Sequence, residues 1–259
     1  MKGEYALILG SSSGFGKATS LYLAEKGINI FGVHLDRKST MPQVEELVKE
    51  IESKGVFVKF FNINAADHEK RRGVIDEIEK KLKENDKKIR VFLHSLAFGT
   101  LRPYVGENGI KPEQMTMTLE VMAHSLVWWV KDLFDRGLLG EGSRIFAMTS
   151  AGSHKAWKSY GAVSAAKAAL ESHIRQLALE LAPYGITCNA IQAGVTDTPA
   201  LRKIPGHEDM IEYAKRVNPS GRLTEPMDVA KAIYALSLPE TQWITGNVIR
   251  VDGGEDITG

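Results

Sequence analysis

Tyr160 and Lys167 are the pair whose types and spacing carry the most chemistry. They stand in Ser159-Tyr160-Gly161-Ala162-Val163-Ser164-Ala165-Ala166-Lys167, with six residues between them. A helix turns about 100° and rises about 1.5 Å per residue, so a seven-residue step returns to one face roughly 10 Å along. A phenol and an ammonium on one face make a proton-donating, anion-stabilising unit. In the commoner version of this unit the tyrosine stands four residues before the lysine. Here that position is Val163, which has no hydroxyl. The displaced phenol reaches a different substrate atom.

A second constellation is the turn Leu9-Gly10-Ser11-Ser12-Ser13-Gly14-Phe15-Gly16-Lys17. It follows a short apolar run and opens an amphipathic one. Gly10 permits a tight turn. The bare backbone of Gly14 and Gly16 admits a pyrophosphate, with Ser12, Ser13 and Phe15 in the same turn, and a helix N-terminus attracts that anion. Val33-His34-Leu35-Asp36-Arg37-Lys38 ends the next apolar run, where an adenosine ribose is expected. Asp36 suits a 2′-hydroxyl and so NADH; Arg37 and Lys38 suit a 2′-phosphate and tilt the expectation to NADPH.

The remaining candidates end further apolar runs. Asn62-Ile63 is placed to meet adenine. Ser95-Leu96-Ala97 lets backbone lie along the cofactor. In Gly194-Val195-Thr196-Asp197-Thr198, the Val195–Thr196 backbone is a candidate for the nicotinamide carboxamide and Thr198 for a phosphate oxygen.

The elements that position these residues alternate. Strands are expected at 5–9, 28–35, 56–63, 90–96, 143–148, 185–192 and 247–251. Helices are expected at 14–26, 44–54, 68–84, 112–134, 159–182, 208–217 and 226–236. Several strands are apolar on consecutive positions, as in a parallel sheet covered on both faces. The alternation predicts one α/β domain over residues 1–259: a doubly wound parallel sheet of about seven strands, flanked by helices on right-handed crossovers. Ligands in such sheets bind beyond the carboxyl ends of the strands, which gathers the motifs above into one crevice.

A net charge of +1 gives no general attraction to nucleic acid or anionic membranes. No apolar run suits a bilayer span or a signal segment, so a cytoplasmic location is expected. The single cysteine, Cys188, lies in an apolar run and reads as core. The scattered histidines lack metal-ligand spacing, so no metal is expected.

Together these residues resemble the short-chain dehydrogenase/reductase superfamily, from Gly10-x-x-x-Gly14-x-Gly16 to Val251-Asp252-Gly253-Gly254, and hence a Rossmann-type fold. Within it, the tyrosine–lysine spacing and His94-Ser95-Leu96-Ala97-Phe98 resemble the enoyl-acyl-carrier-protein reductases. Leu101-Arg102-Pro103, Asp197-Thr198-Pro199-Ala200-Leu201 and Asn218-Pro219-Ser220-Gly221-Arg222 resemble their type III, NADPH-using branch. The chain departs from ordinary members in carrying Met122 at the place of a catalytic asparagine. Ser150 falls where those members keep a catalytic serine.

The resemblance implies NAD(P)H-dependent reduction of the C2=C3 bond of an enoyl thioester, carried by acyl carrier protein. Hydride reaches C3 while charge builds on the C1 oxygen, two bonds farther away, and a tyrosine set back along its helix suits that oxygen. Tyr160 then stabilises the enolate, and Lys167 holds the nicotinamide ribose and lowers the phenol's pKa. Phe98, Leu101 and Tyr104 are acyl-pocket candidates, and residues 198–217 a mobile lid. Trp128-Trp129 reads as marking a helix in a subunit interface. The stretch from Trp243 to Gly254 resembles the family's last strand, which pairs subunits, and the resemblance thereby implies a homotetramer. Two other readings remain: a carbonyl or 3-ketoacyl reductase of the same superfamily, and a dinucleotide sensor without turnover.

Overall fold

Tyr5-Ala6-Leu7-Ile8-Leu9 is apolar at every position and buried at every position, because helices cover both faces of its strand. The same logic repeats along the chain in the computed structural model, which describes residues 1–258. The strands are β1 (Tyr5–Leu9), β2 (Asn29–His34), β3 (Val58–Asn62), β4 (Ile89–His94), β5 (Arg144–Ser150), β6 (Thr187–Ala193) and β7 (Val248–Val251). The helices are α1 (Gly14–Glu25), α2 (Met41–Glu52), α3 (His68–Glu84), α4 (Pro112–Leu119), α5 (Ser125–Asp135), α6 (Gly161–Leu181), α7 (His207–Val217), α8 (Pro226–Ala235) and α9 (Glu255–Thr258).

The seven strands form one parallel sheet in the order β3-β2-β1-β4-β5-β6-β7. The order reverses direction between β1 and β4, which opens a crevice at their carboxyl ends. Leu9 is paired with Val33 on one side and His94 on the other, so three candidate loops leave the sheet together. Ser150 is level with Ala193, which sets the ends of β5 and β6 beside them. Leu23, Leu47 and Val229 cover one face; Ile75, Leu126 and Leu170 cover the other.

The helix expected at 112–134 is interrupted. Glu120–His124 form a π-helical segment between α4 and α5, with Met122 buried inside it. Such wide turns locally re-aim side chains and are frequent beside functional sites. Of the Trp128-Trp129 pair, Trp129 is core: it is fully buried and its indole donates to the Ala65 carbonyl at 2.8 Å. Trp128 alone is exposed. Cys188 is buried as expected, and burial pushes its thiol pKa up. Among the described residues no helix is long and apolar enough to cross a membrane.

Candidate active site

The glycine turn is shaped by two close backbone approaches. A Cβ on Gly10, whose φ is +84°, would stand 2.2 Å from the Ser95 carbonyl oxygen. A Cβ on Gly16 would stand 2.1 Å from the Gly10 carbonyl oxygen. Gly16 therefore serves the seating of α1 on the turn, not the phosphate approach expected of it. Gly14, with φ +51°, meets only the Thr198 side chain, its methyl at 3.5 Å. Ser12, Ser13, Gly14 and Phe15 retain exposed surface at the start of α1, so backbone there is open to an anion.

Asp36 lies just past the end of β2, facing this turn. Its carboxylate accepts from Thr40 Oγ1 at 2.8 Å and contacts His34 Nδ1 at 2.9 Å. Burial raises its pKa, but hydrogen bonds from Ser12, Thr40 and His34 outweigh that and hold it below the usual value. Asn62 is used structurally: its side chain brackets the Asp36 backbone, accepting from the N–H and donating to the carbonyl, each at 3.0 Å. Ile63 is half-buried beside it, while Arg37 and Lys38 lie at the surface of the same loop.

At the other side of the crevice, Ser95 N–H donates to the Leu9 carbonyl at 2.9 Å, which presses the β4 loop onto the turn. Leu96 is half-buried and Ala97 exposed. Thr198 is buried, and its hydroxyl accepts from Leu201 N–H at 3.2 Å. Val195 N–H is already engaged by both Glu255 carboxylate oxygens at 3.1 Å, an internal partner that competes with the carboxamide role expected there. Gly194 is packed too closely for a side chain, since a Cβ there would stand 2.5 Å from Thr224 Oγ1. Thr196 turns its hydroxyl to the Gly194 carbonyl.

Tyr160 is the residue immediately preceding α6, and Ser164 N–H donates to its carbonyl at 2.8 Å. Ser159 before it has φ +61°, a conformation costly for a side-chain-bearing residue, which turns the chain sharply into the helix. Tyr160 Oη stands 3.5 Å from Ser150 Oγ. Its ring lies against Gly152, where a Cβ would meet Cε1 at 2.5 Å.

Lys167 is 5% exposed and donates to the Met148 carbonyl at 2.7 Å. Burial lowers its pKa to about 8, against an opposing pull from Glu171. Burial likewise raises the Tyr160 pKa, with Ser150 opposing. The expectation that Lys167 lowers the phenol's pKa is thus corrected: desolvation governs the phenol, and the ammonium is directed to a strand carbonyl. His94 is fully buried, with its Nε2 2.8 Å from Ser125 Oγ; burial and the nearby Lys167 charge lower its pKa to about 3, so it stays neutral.

Val163 is buried, and with Met122 and Thr118 it forms an apolar wall around Gly99; a Cβ on Gly99 would lie 2.8 Å from an atom of each. Phe98 and Tyr104 are exposed at the crevice mouth, and Leu101 packs partly on the core. The Tyr104 ring covers Gly161, next to Tyr160. In the 198–217 segment, Leu201 and Ile204 are buried, and an Arg202–Asp197 fork (2.7 and 2.8 Å) ties its first turn.

Sequence reasoning missed three features here. The C-terminal α9 carries Asp256, which binds His154, Lys155 and Arg250 and so fastens the loop after β5 to the last strand. Ser159 left no compositional signal. Glu171, whose carboxylate accepts from Thr149 Oγ1 at 2.6 Å, was legible as an acid one helical turn after Lys167.

Residues 10–255 match the family described as enoyl-(acyl carrier protein) reductase. The chain is 28% identical over 265 residues to the NADH-dependent enoyl-acyl-carrier-protein reductase of Aquifex aeolicus, covering all of this chain and 93% of that protein. It is 27% identical to a chloroplastic NADPH-dependent aldehyde reductase-like protein of Arabidopsis thaliana, covering 98% of this chain and 94% of that one. The crystal structure of the Aquifex aeolicus enzyme superposes with a TM-score of 0.85 at 25% identity, across 100% of this chain and 98% of the other. With the glycine turn, the parallel sheet and the tyrosine–lysine pair at one crevice, this chain belongs to the enoyl-(acyl carrier protein) reductase family of short-chain dehydrogenases/reductases.

Proposed function

We propose that the protein reduces the C2=C3 bond of enoyl thioesters with a nicotinamide dinucleotide. The observation that carries the reading is the position of the phenol. Tyr160 lies before the first turn of α6, and the place nearer Lys167 is filled by Val163 in an apolar wall with Met122 and Thr118. A carbonyl reductase needs its hydroxyl donor at the atom next to the hydride acceptor. Here the donor is set back, which suits an oxygen two bonds farther from the hydride acceptor.

The open turn at Ser12–Gly14, the Asp36 carboxylate and Lys167 fit a dinucleotide, which supplies the hydride when bound. Tyr160, kept protonated by desolvation, donates a hydrogen bond to the C1 oxygen as enolate charge forms. Such a donor contributes most when it is fixed beforehand and aimed at charge that develops in the transition state. Ser150 orients the phenol from β5. Lys167, anchored on the Met148 carbonyl, has further N–H groups for the nicotinamide ribose. Residues 198–217 close over the acyl chain and exclude water, with Phe98 and Leu101 at its edge.

At the other end, Asp36 is fixed toward the turn while Arg37 and Lys38 lie at the loop surface. That arrangement favours a ribose 2′-hydroxyl and so NADH, against the weight the two cations give to NADPH. Acyl carrier protein is the carrier we infer. A homotetramer is the assembly we infer, supported by Trp243 (93% exposed) and Val248 on the edge strand and Trp128 on α5.

The aldehyde-reductase name of the Arabidopsis relative makes carbonyl reduction the rival. The test follows NADH and NADPH oxidation with crotonyl and acetoacetyl thioesters, in wild type and Tyr160→Phe. Crotonyl-dependent oxidation that collapses in Tyr160→Phe is expected. Oxidation with acetoacetyl thioester alone, or activity untouched by the substitution, rejects the reading.

A further inference from the structure

Lys167 is a cation held almost out of water, and a single strand carbonyl does not offset the loss of its hydration. A buried charge of this kind needs an opposite charge nearby. The ionisable groups on the elements around it are few. From β4 comes His94, which is neutral. From β6 comes Cys188, whose burial keeps it a thiol. The π segment contributes Glu120, which accepts from Trp128 Nε1 at 3.1 Å, and His124, turned to His173 at 3.0 Å, two residues past Glu171 on α6 and so on a different face of that helix. The loop after β5 contributes His154 and Lys155, both engaged with Asp256. On α6 itself stands Glu171, with Tyr160 just before the helix. Of the two acids, Glu120 is turned away to Trp128, and Glu171 is the one whose charge acts on Lys167.

Glu171 lies one helical turn beyond Lys167 and reaches the same strand. Its Oε1 accepts from Thr149 Oγ1 at 2.6 Å. Thr149 follows Met148, whose carbonyl accepts from Lys167, and precedes Ser150, which faces Tyr160. Three consecutive residues of β5 therefore fix three polar side chains of the α6 region: ammonium, carboxylate and phenol. An i,i+4 pair exposed on a helix contributes little, but here the ammonium is buried and the carboxylate half-buried, so their attraction is screened less than at the surface.

We propose that Glu171 is a positioning residue: clamped by Thr149, its carboxylate is the counter-charge that keeps the Lys167 ammonium in place for the coenzyme ribose. This rests on the ribose role given to Lys167 above. Without the carboxylate, Lys167 sheds its proton at lower pH and the coenzyme loses a charged donor.

The test compares wild type with Glu171→Gln, Glu171→Asp and Thr149→Val, recording kcat/KM for crotonyl thioester and NADH affinity from pH 6 to 9.5. Glu171→Gln keeps an oxygen for Thr149 and removes only the charge. Its alkaline limb is expected to fall about one pH unit lower, giving about a tenfold loss near pH 8.5 and little loss at pH 6. Glu171→Asp restores part of the shift, and Thr149→Val moves the limb the same way by less. A pH profile superimposable on wild type, or a loss equal at every pH, overturns the proposal and leaves Glu171 a structural tie. If wild type reduces no enoyl thioester, the reaction assigned above fails by itself. The affinity series then decides alone: NADH binding lost at lower pH in Glu171→Gln supports the role of Glu171, and identical curves reject it. Should Glu171→Gln not fold, Thr149→Val carries the same comparison.

Discussion

The two sides of the crevice are built on different principles. The β1–α1 turn works through what is missing: Gly10 and Gly16 let carbonyl oxygens come within about 2 Å of where a Cβ would be. The β5–α6 side works through what is buried: Lys167 and Thr149 are withdrawn from water, Tyr160 is half-buried, and all three are held by one strand. The first side is specified by sterics, which a single residue type satisfies. The second is specified by electrostatics, which only a set of neighbours supplies. The first therefore fails by unfolding when altered, and the second by losing activity while the fold persists.

The largest effect that would break this contrast is at Gly10. Gly10→Ala combines a left-handed φ with a clash against backbone, and a loss of about 3 kcal/mol or more is expected, read as a lowered Tm together with lost NADH binding. A normal melting curve would mean the turn is not sterically fixed.

Next comes Tyr160→Phe, which removes one preorganised donor. A fall in kcat of about 100- to 1000-fold is expected, with Tm within about a degree of wild type, measured by steady-state kinetics and calorimetry.

Lys167→Met sharpens the contrast most, because its effects on activity and stability have opposite signs. Lys167 has its folded pKa lowered to about 8 from an ordinary 10.5. Between those values the unfolded chain holds the proton and the folded one does not, so stability rises with pH across that window. Below pH 8 both forms are protonated and the full cost of burying the charge remains. Lys167→Met is expected to raise Tm by a few degrees at pH 7, to lose that advantage as pH approaches 10.5, and to lose coenzyme-dependent turnover. In the wild-type free enzyme, kcat/KM is expected to decline as pH rises through about 8 while Lys167 deprotonates.

The smallest effect is at the adenosine end. Asp36→Ser removes a carboxylate that repels a 2′-phosphate, and the NADPH/NADH ratio of kcat/KM is expected to rise about tenfold, with stability little changed. An unaltered ratio would move coenzyme choice to Arg37 and Lys38.

Much of the fold was legible because its signals are local. Consecutive apolar residues in β1 and β5, Gly55 after α2 and proline at the start of α8 each act on their own few residues. The glycine turn was legible as a turn, although the sequence does not tell apart Gly16 for helix seating and Gly14 for an anion. The π segment at Glu120–His124 was not legible, since its residues are compatible with an ordinary helix. Glu255 on Val195 and Asp256 on His154 join residues 60 and 102 positions apart, and no local pattern announces them.

By itself the sequence determined the order of strands and helices, the positions that must be glycine, and the seven-residue step from phenol to ammonium. Those follow from backbone sterics and helical periodicity, which are properties of neighbouring residues. Only the tertiary structure decided the charge states of Lys167, His94 and Tyr160, the direction of Asp36, and the link from Thr149 to Glu171. Those depend on how much water is removed around each group and on which dipoles replace it, and both are set by residues brought together from distant parts of the chain.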